Sequence, residues 1–494
     1  MSLDRNRSGP ALTVGSGEDA PCGIPQSEFP IPYSVGENCG VCGVYGHAEA
    51  ARLIYLGLYA LQHRGQESAG IAVWDGRTIR SHKAPGLLGQ AVKEEHLADL
   101  PGEAAIGHVR YSTTGSGRVQ NIQPLVIEYQ DGLLAVAHNG NLVNARSLRR
   151  RYEQAGSIFQ TSTDSEAVVH LLADPEHRIL PQAMGHCLSH LRGAFSFVFL
   201  SDGKLMAARD PWGWRPLCLG RQGNAWVVAS ETCALDLLHF DYVRDIAPGE
   251  LLTIDQDGPH SEKFAESPRL YQCIFEHVYF ARPDSYVFGE SVHRVRVALG
   301  RRLAKDRPAD ADIVVAVPDS GSSAAQGYSQ ESGIPSERGF IRNHYVGRTF
   351  IMPSMQSRTG SVAIKLNAVK SAVQGKRVVV VDDSIIRGTT SRGRLEQLRR
   401  AGAREIHLRI SCPPTVSPCY YGVDFPTRTE LIAAQRSVEE IASFVGADSL
   451  GYQTMDGLLG SVARPGDYCT SCWTAHYPVP PEDDMDKLAL ERRR

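Results

Sequence analysis

The chain has no apolar run long enough to span a bilayer, which argues against a helical membrane protein. It also has no surplus of one charge: 52 basic and 55 acidic residues leave a formal net charge of -3. That balance gives no electrostatic case for a nucleic-acid partner, so any anion must be held by local charge. The opening residues Met1 to Arg7 carry an acid early and lack the apolar stretch of a secretory signal. These absences predict a cytoplasmic protein, with its 11 cysteines mostly reduced thiols or metal ligands instead of disulfides.

At 494 residues and 42% hydrophobic, the chain is too long for one ordinary core and fits two domains. Residues 1–38, with five prolines and several glycines, form a leader of low folding propensity. The expected division is a leader at 1–38, one domain at 39–262, and a second at 263–494.

The most informative stretch runs from Val378 to Ser391. Four valines followed by Asp382 and Asp383 predict a strand buried on both faces, as in a parallel sheet, with a polar carboxyl end. Leu395 and Leu398, three apart before Gly402, predict a helix with one apolar stripe, and Ile406, Leu408 and Ile410 alternate as the next strand. In such a unit the loop from Ser384 to Ser391 gathers backbone N–H groups, the hydroxyls of Thr389 and Thr390, and a helix amino end around one point. That point attracts an anion. Gly388 permits close backbone approach, and the two carboxylates can accept from ribose hydroxyls or hold a hydrated magnesium ion.

This segment resembles the phosphoribosyl pyrophosphate loop of type I phosphoribosyltransferases. The resemblance implies a ribose 5-phosphate donor held by Asp382, Asp383, Ser384, Arg387, Gly388, Thr389, Thr390 and Ser391. It further implies a pyrophosphate loop at Val317 to Gly321 after the apolar run Ile313 to Val317, with Ser320 joining Asp382 and Asp383 at magnesium. Ala324 to Tyr328 also fits the family's pyrophosphate region.

Earlier in the chain, Cys39 to Gly46 begins an alternating strand, and Leu61 to Gly70 follows a predicted helix. Together with Gly107 to Gly115, Ala137 to Leu142 and Thr161 to Glu166, these segments resemble the glutamine amidotransferases with an amino-terminal nucleophile. The resemblance implies an αββα sandwich, and cleavage before Cys39 that makes the leader a propeptide. The freed α-amine, with an ordinary pKa of about 7.7 to 8.0, would then act as the base. It also implies that Arg110 and Asp164, with Thr113 nearby, hold the charged groups of glutamine, while the Asn139 side chain and the Gly140 N–H form an oxyanion hole. His63 and Arg64 are expected to be structural or gating residues, and Cys42 departs from the larger apolar residue pictured in relatives.

An amidotransferase half followed by a transferase half resembles the glutamine phosphoribosylpyrophosphate amidotransferase family. The expected fold is mixed α/β and α+β: an amino-terminal-nucleophile αββα sandwich followed by a type I phosphoribosyltransferase parallel-sheet domain. The implied reaction gives 5-phosphoribosylamine, glutamate and pyrophosphate at the start of purine synthesis. A catalytic loop at Asn343 to Phe350 would bring Arg348 to the donor, with Arg342, Arg358 and Lys365 in the same charged segment. Feedback by purine nucleotides and a homotetramer are implied as well.

Cys469 and Cys472 form a CxxC pair, which alone is compatible with a zinc half-site, a redox pair or part of an iron-sulfur cluster. In one subgroup of the resembling family such a pair joins two distant cysteines, implying a 4Fe-4S set of Cys273, Cys419, Cys469 and Cys472, with Cys412 the competitor for Cys419. One magnesium ion and one cluster per subunit are expected. The alternative function is a regulator that keeps the phosphoribosyl site only to sense its ligand.

Overall fold

The computed structural model describes residues 39–111, 118–178, 183–267, 269–342, 366–425, 427–482 and 490. The leader 1–38, Thr113, Arg348, Arg358 and Lys365 lie outside the described residues.

Alternating side chains in the amino-terminal half build two facing antiparallel sheets. The first has seven strands in the order Asp241–Asp245, Cys218–Gln222, Ala225–Ala229, Gly40–Tyr45, Ala104–Arg110, Ser68–Trp74 and Ile79–Pro85. The second has six, in the order Gly258–Lys263, Glu250–Asp255, Lys204–Arg209, Gly193–Ser201, Gly132–Leu142 and Leu125–Tyr129. Val41, Ile106, Ala135, Val198 and Val228 fill the space between the sheets.

The period of two along Gly40–Tyr45 turns Val41 inward and Cys42 and Val44 outward. The outward set meets helix Ala50–Ala60, whose Ala50, Ala51, Ile54, Gly57 and Leu58 make one buried stripe, and helix Thr232–Leu238 beside it. Helices Ala145–Gln154, Glu166–Ala173 and Ala183–Ser189 cover the outer face of the second sheet. The result is an αββα sandwich.

The carboxyl-terminal half centres on a five-stranded parallel sheet, in the order Ser336–Glu337, Ile313–Ala316, Arg377–Asp382, Glu405–Ile410 and Ser449–Tyr452. Val378 and Val380 face Leu395 and Leu398 on one side, while Val379 and Val381 face Leu303, Ala324 and Tyr328 on the other. Burial on both faces explains the unbroken valine run. Helix Thr389–Arg400 follows the strand as the apolar spacing predicts. The segment Ala324 to Tyr328 lies in helix Ser322–Ser332, with Ala324, Ala325 and Tyr328 buried. Gly327 permits that helix to touch its neighbour Val292–Asp306, since a Cβ there would stand 2.0 Å from the carbonyl oxygen of Val297. Near the carboxyl end, strand Tyr468–Cys469 pairs in parallel with Gln272–Cys273, placing Cys273 opposite Cys469.

Candidate active site

Cys39 precedes the central strand of the seven-stranded sheet and is buried. Its thiol donates to the carbonyl of Tyr111 at 3.3 Å. Burial pushes the thiol up to about 11, only partly offset by the Tyr111 hydrogen bond and the positive charge of Arg110, while Glu67 and Asp164 add to the rise. Arg110 and Asp164 therefore lie close enough to Cys39 for their charges to act on it. Asp164 accepts from the backbone N–H of Leu142 at 2.9 Å. Burial alone would raise its pKa, but His138 and the Leu142 N–H outweigh that effect and hold the carboxylate below its usual range.

Asn139 and Gly140 lie in strand Gly132–Leu142 of the facing sheet. Among the described residues, Asn139 Nδ2 is a buried donor with no hydrogen-bond partner. Gly140 has φ +150°, and a Cβ there would come within 2.1 Å of the carbonyl oxygen of Ala194. Glycine is therefore needed for the strand to hold this shape. Cys42 points to the other face of its strand. Burial raises its thiol to about 12, and its sulfur lies under helix Ala50–Ala60, where a Cβ at Gly57 would stand 2.8 Å away. The two nearby thiols do not share a site.

Behind Cys39 lies a buried charge network. Arg64 donates from Nε to the Cys39 carbonyl at 3.1 Å, and its guanidinium pairs with Glu231 and with Glu276, the latter at 2.7 Å. Glu276 also pairs with Arg215 at 3.2 Å, and Arg215 donates through Nε and Nη2 to the Tyr421 carbonyl at 3.0 and 2.6 Å. Glu231 accepts from His63 at 2.7 Å and from Ser285 Oγ at 2.7 Å. Glu276 of the second half thus sits between Arg64 and Arg215 of the first, and one charge network joins the two halves.

At the second centre, Asp382 and Asp383 are buried at the carboxyl end of their strand. Burial raises Asp382 and the neighbouring Asp383 adds to the rise, while Arg394, 2.9 Å away, opposes it. Ser384 donates to Asp383, Arg387 pairs with Glu430 at 2.9 Å, and Ser391 is buried in the first turn of helix Thr389–Arg400. Gly388 caps that helix at φ +77°, where a Cβ would meet Ile432 at 2.8 Å and Phe444 at 3.0 Å. On the adjacent strand, the loop Val317 to Gly321 begins with Val317 N donating to the carbonyl of Val381 at 2.9 Å, and Arg342 pairs with Asp319. Ser320 is half-buried in this loop, at the strand end neighbouring Asp382.

A family model described as a glutamine amidotransferase domain matches residues 108–237. The amidophosphoribosyltransferase of Bacillus subtilis is 48% identical over 90% of this chain and 95% of its own length. A chloroplastic amidophosphoribosyltransferase of Glycine max is 50% identical over 92% of this chain and 80% of its own. The solved structure of the Bacillus subtilis glutamine phosphoribosylpyrophosphate amidotransferase, complexed with ADP and GMP, superposes with a TM-score of 0.86 at 46% identity, covering 91% of this chain and 99% of that one.

The chain belongs to the amidophosphoribosyltransferases. As a member of that family it transfers the amide nitrogen of glutamine to phosphoribosyl pyrophosphate, the first step of purine biosynthesis. No observation favours a ligand-sensing regulator.

In this amidophosphoribosyltransferase, Cys273, Cys419, Cys469 and Cys472 line one small apolar cavity together with Trp214, Phe275, Tyr421 and Phe425. Cys412 is buried in the adjoining core and does not line this cavity; its thiol donates to the carbonyl of Pro413 at 3.3 Å. The indole N–H of Trp214 is turned toward Cys469 and has no hydrogen-bond partner of ordinary length. Burial raises all four cavity thiols, Cys273 to about 11. One and three residues beyond Cys419, the chain touches the strand that carries Asn139 and Gly140. Asn141 Nδ2 donates to the Tyr420 carbonyl at 2.9 Å, and a Cβ on Gly422 would stand 3.0 Å from the backbone of Gly140.

Sequence reasoning missed Glu276, Arg215 and Arg394 in these centres. A signal was present for the first two: Glu276 interrupts the apolar stretch Ile274 to Phe280, and Arg215 follows Trp212 and Trp214. Charged residues embedded in apolar segments are buried only when paired. Arg394 carries no such mark.

Proposed function

We propose that Cys39, freed by removal of residues 1–38, attacks the glutamine carboxamide, with its own α-amine as the base. Arg110 pairs with the substrate carboxylate and Asp164 with its ammonium, assisted by Thr113. Asn139 Nδ2 and the Gly140 N–H receive the developing oxyanion. The observation that carries this reading is the unpartnered, buried Asn139 donor, since a lost hydrogen bond at a buried amide is costly unless a ligand completes it. Ammonia leaves, and water releases glutamate from the thioester.

The ammonia then attacks the anomeric carbon of phosphoribosyl pyrophosphate within the domain assigned to 263–494, the glutaminase occupying 39–262. Ser384, Arg387, Gly388, Thr389, Thr390 and Ser391 surround the 5-phosphate and ribose, and Arg348 reaches the pyrophosphate. The paired carboxylates Asp382 and Asp383, with Ser320, fit one magnesium ion, because two buried acids side by side call for a compensating cation. When bound, magnesium would neutralise pyrophosphate charge as that group departs. A closed route between the centres keeps ammonia unprotonated.

The four cavity cysteines fit one 4Fe-4S cluster per chain. Together they supply the four thiolates that such a cluster takes, in an apolar cavity. The Trp214 N–H offers a donor to cluster or thiolate sulfur. The group's role is structural, and the reduced thiols it needs suit a cytoplasmic location. The complex of the Bacillus subtilis relative with ADP and GMP supports feedback by purine nucleotides. A homotetramer is the proposed assembly.

The decisive experiment combines mass measurement with single substitutions. A mature chain beginning at Cys39, glutaminase lost in Cys39→Ala, and ammonia-dependent product lost in Asp382→Asn are the expected results. A fully active chain starting elsewhere would overturn the nucleophile. Stoichiometric zinc in place of iron and sulfide would overturn the cluster.

A further inference from the structure

Outside both centres, His177, His186 and His190 converge on the outer layer of the first domain, each offering a ligand nitrogen within 4.8 Å of the others. His186 lies in helix Ala183–Ser189, His190 follows one turn later, and His177 lies in the short helix Pro175–Arg178. Their ring centroids are 4.6 to 5.0 Å apart.

Hydrogen bonding already prepares two of these rings. His177 Nδ1 lies 3.3 Å from the carbonyl of Leu171, and His190 Nδ1 lies 2.9 Å from that of His186. A carbonyl can only accept, so each Nδ1 carries the hydrogen and each Nε2 is left with a bare lone pair. Metal-bound histidines are oriented in this way.

We propose that these three histidines bind a divalent transition metal of the zinc class. Three imidazoles without a carboxylate suit zinc, cobalt, nickel or copper and disfavour magnesium and calcium. Tetrahedral zinc needs nitrogens roughly 3.3 Å apart, which small ring rotations reach from the observed spacing. Cys187 is not a ligand: its sulfur donates to the Leu171 carbonyl and lies 3.9 Å from the hydrogen-bearing Nδ1 of His177. The fourth position goes to water on the side of exposed His190.

The bound ion braces the glutaminase sheet. The His190 carbonyl accepts from Asn144 Nδ2 at 2.9 Å, and Arg192 N donates to Asn144 Oδ1 at 3.0 Å. Asn144 stands two residues beyond the strand that carries Asn139 and Gly140. The ion therefore ties Pro175–Arg178 to the segment that anchors the end of that strand.

The test uses the full-length holoenzyme, stripped of loosely held metal while its visible cluster absorption is monitored. Zinc is titrated by calorimetry and counted after desalting, with cobalt absorption as a second probe. One zinc per chain is expected, raising the thermal midpoint. His190→Gln and His186→Gln should each weaken binding by at least about tenfold, abolish the thermal rise, and leave metal-free glutaminase activity unchanged. No saturable binding below about 100 µM zinc, or unchanged binding in the double variant, would overturn the site.

Discussion

Asn141 donates its side-chain amide to the backbone carbonyl of Tyr420 at 2.9 Å, joining residues 279 apart in sequence. The bond fastens the strand holding Asn139 and Gly140 to the loop that continues from Cys419. Gly422 lies against Gly140 in the same contact, and Arg215 holds the Tyr421 carbonyl between them. Loss of order around Cys419 should therefore reach the glutaminase centre directly.

Asn139→Ala removes the side-chain donor assigned to the oxyanion. The glutaminase kcat should fall by about 100- to 1,000-fold with little change in the KM for glutamine, while product formation from added ammonium salts is retained. Steady-state kinetics with the two nitrogen sources checks both halves of this expectation. An equal loss with ammonia would assign Asn139 to folding instead.

Gly422→Ala adds a Cβ 3.0 Å from the Gly140 backbone at a residue with φ +99°. The left-handed conformation costs a non-glycine residue about 1–2 kcal/mol, and relief requires the Gly140 strand to shift. Glutamine-dependent turnover should drop by about tenfold or more, against a smaller change with ammonia. Equal effects on both reactions would show that the contact does not reach the oxyanion strand.

Glu276→Gln leaves Arg64 and Arg215 with weakened compensation in a fully buried network. Breaking one member of such a set costs about 3–5 kcal/mol. The unfolding midpoint in denaturant should move down accordingly, and the variant should unfold in two steps if the network is the main tie between the halves.

Two buried histidines should make the fold sensitive to mild acid. Burial lowers both His108 and His277 to about 3 from an ordinary value of 6.5. At these two residues the unfolded chain takes up protons between those values that the folded chain does not, so their contribution to stability rises with pH through this window and is lost as pH drops below 6.5. Each histidine contributes a slope of up to about 1.4 kcal/mol per pH unit. His108→Asn should flatten the dependence of unfolding free energy on pH between 5 and 6.5 by about one proton; an unchanged slope would remove His108 from the account.

Much of this protein was legible from residue order alone. The valine run, its acidic end and the hydroxyl-rich loop specified a buried parallel strand leading into a helix amino end, because strand periodicity and helix amino ends are local properties. The segments around Cys39, Arg110, Asn139 and Asp164 were recognisable one by one for the same reason. Tertiary structure alone decided that Cys42 faces away from Cys39 and that Ala324 to Tyr328 serves helix packing. It also decided that Glu276 sits between Arg64 and Arg215, and that His177 meets His186 and His190. Those relationships depend on which faces of distant elements are pressed together, and burial then imposes pairing on charges whose spacing along the chain carries no trace of it.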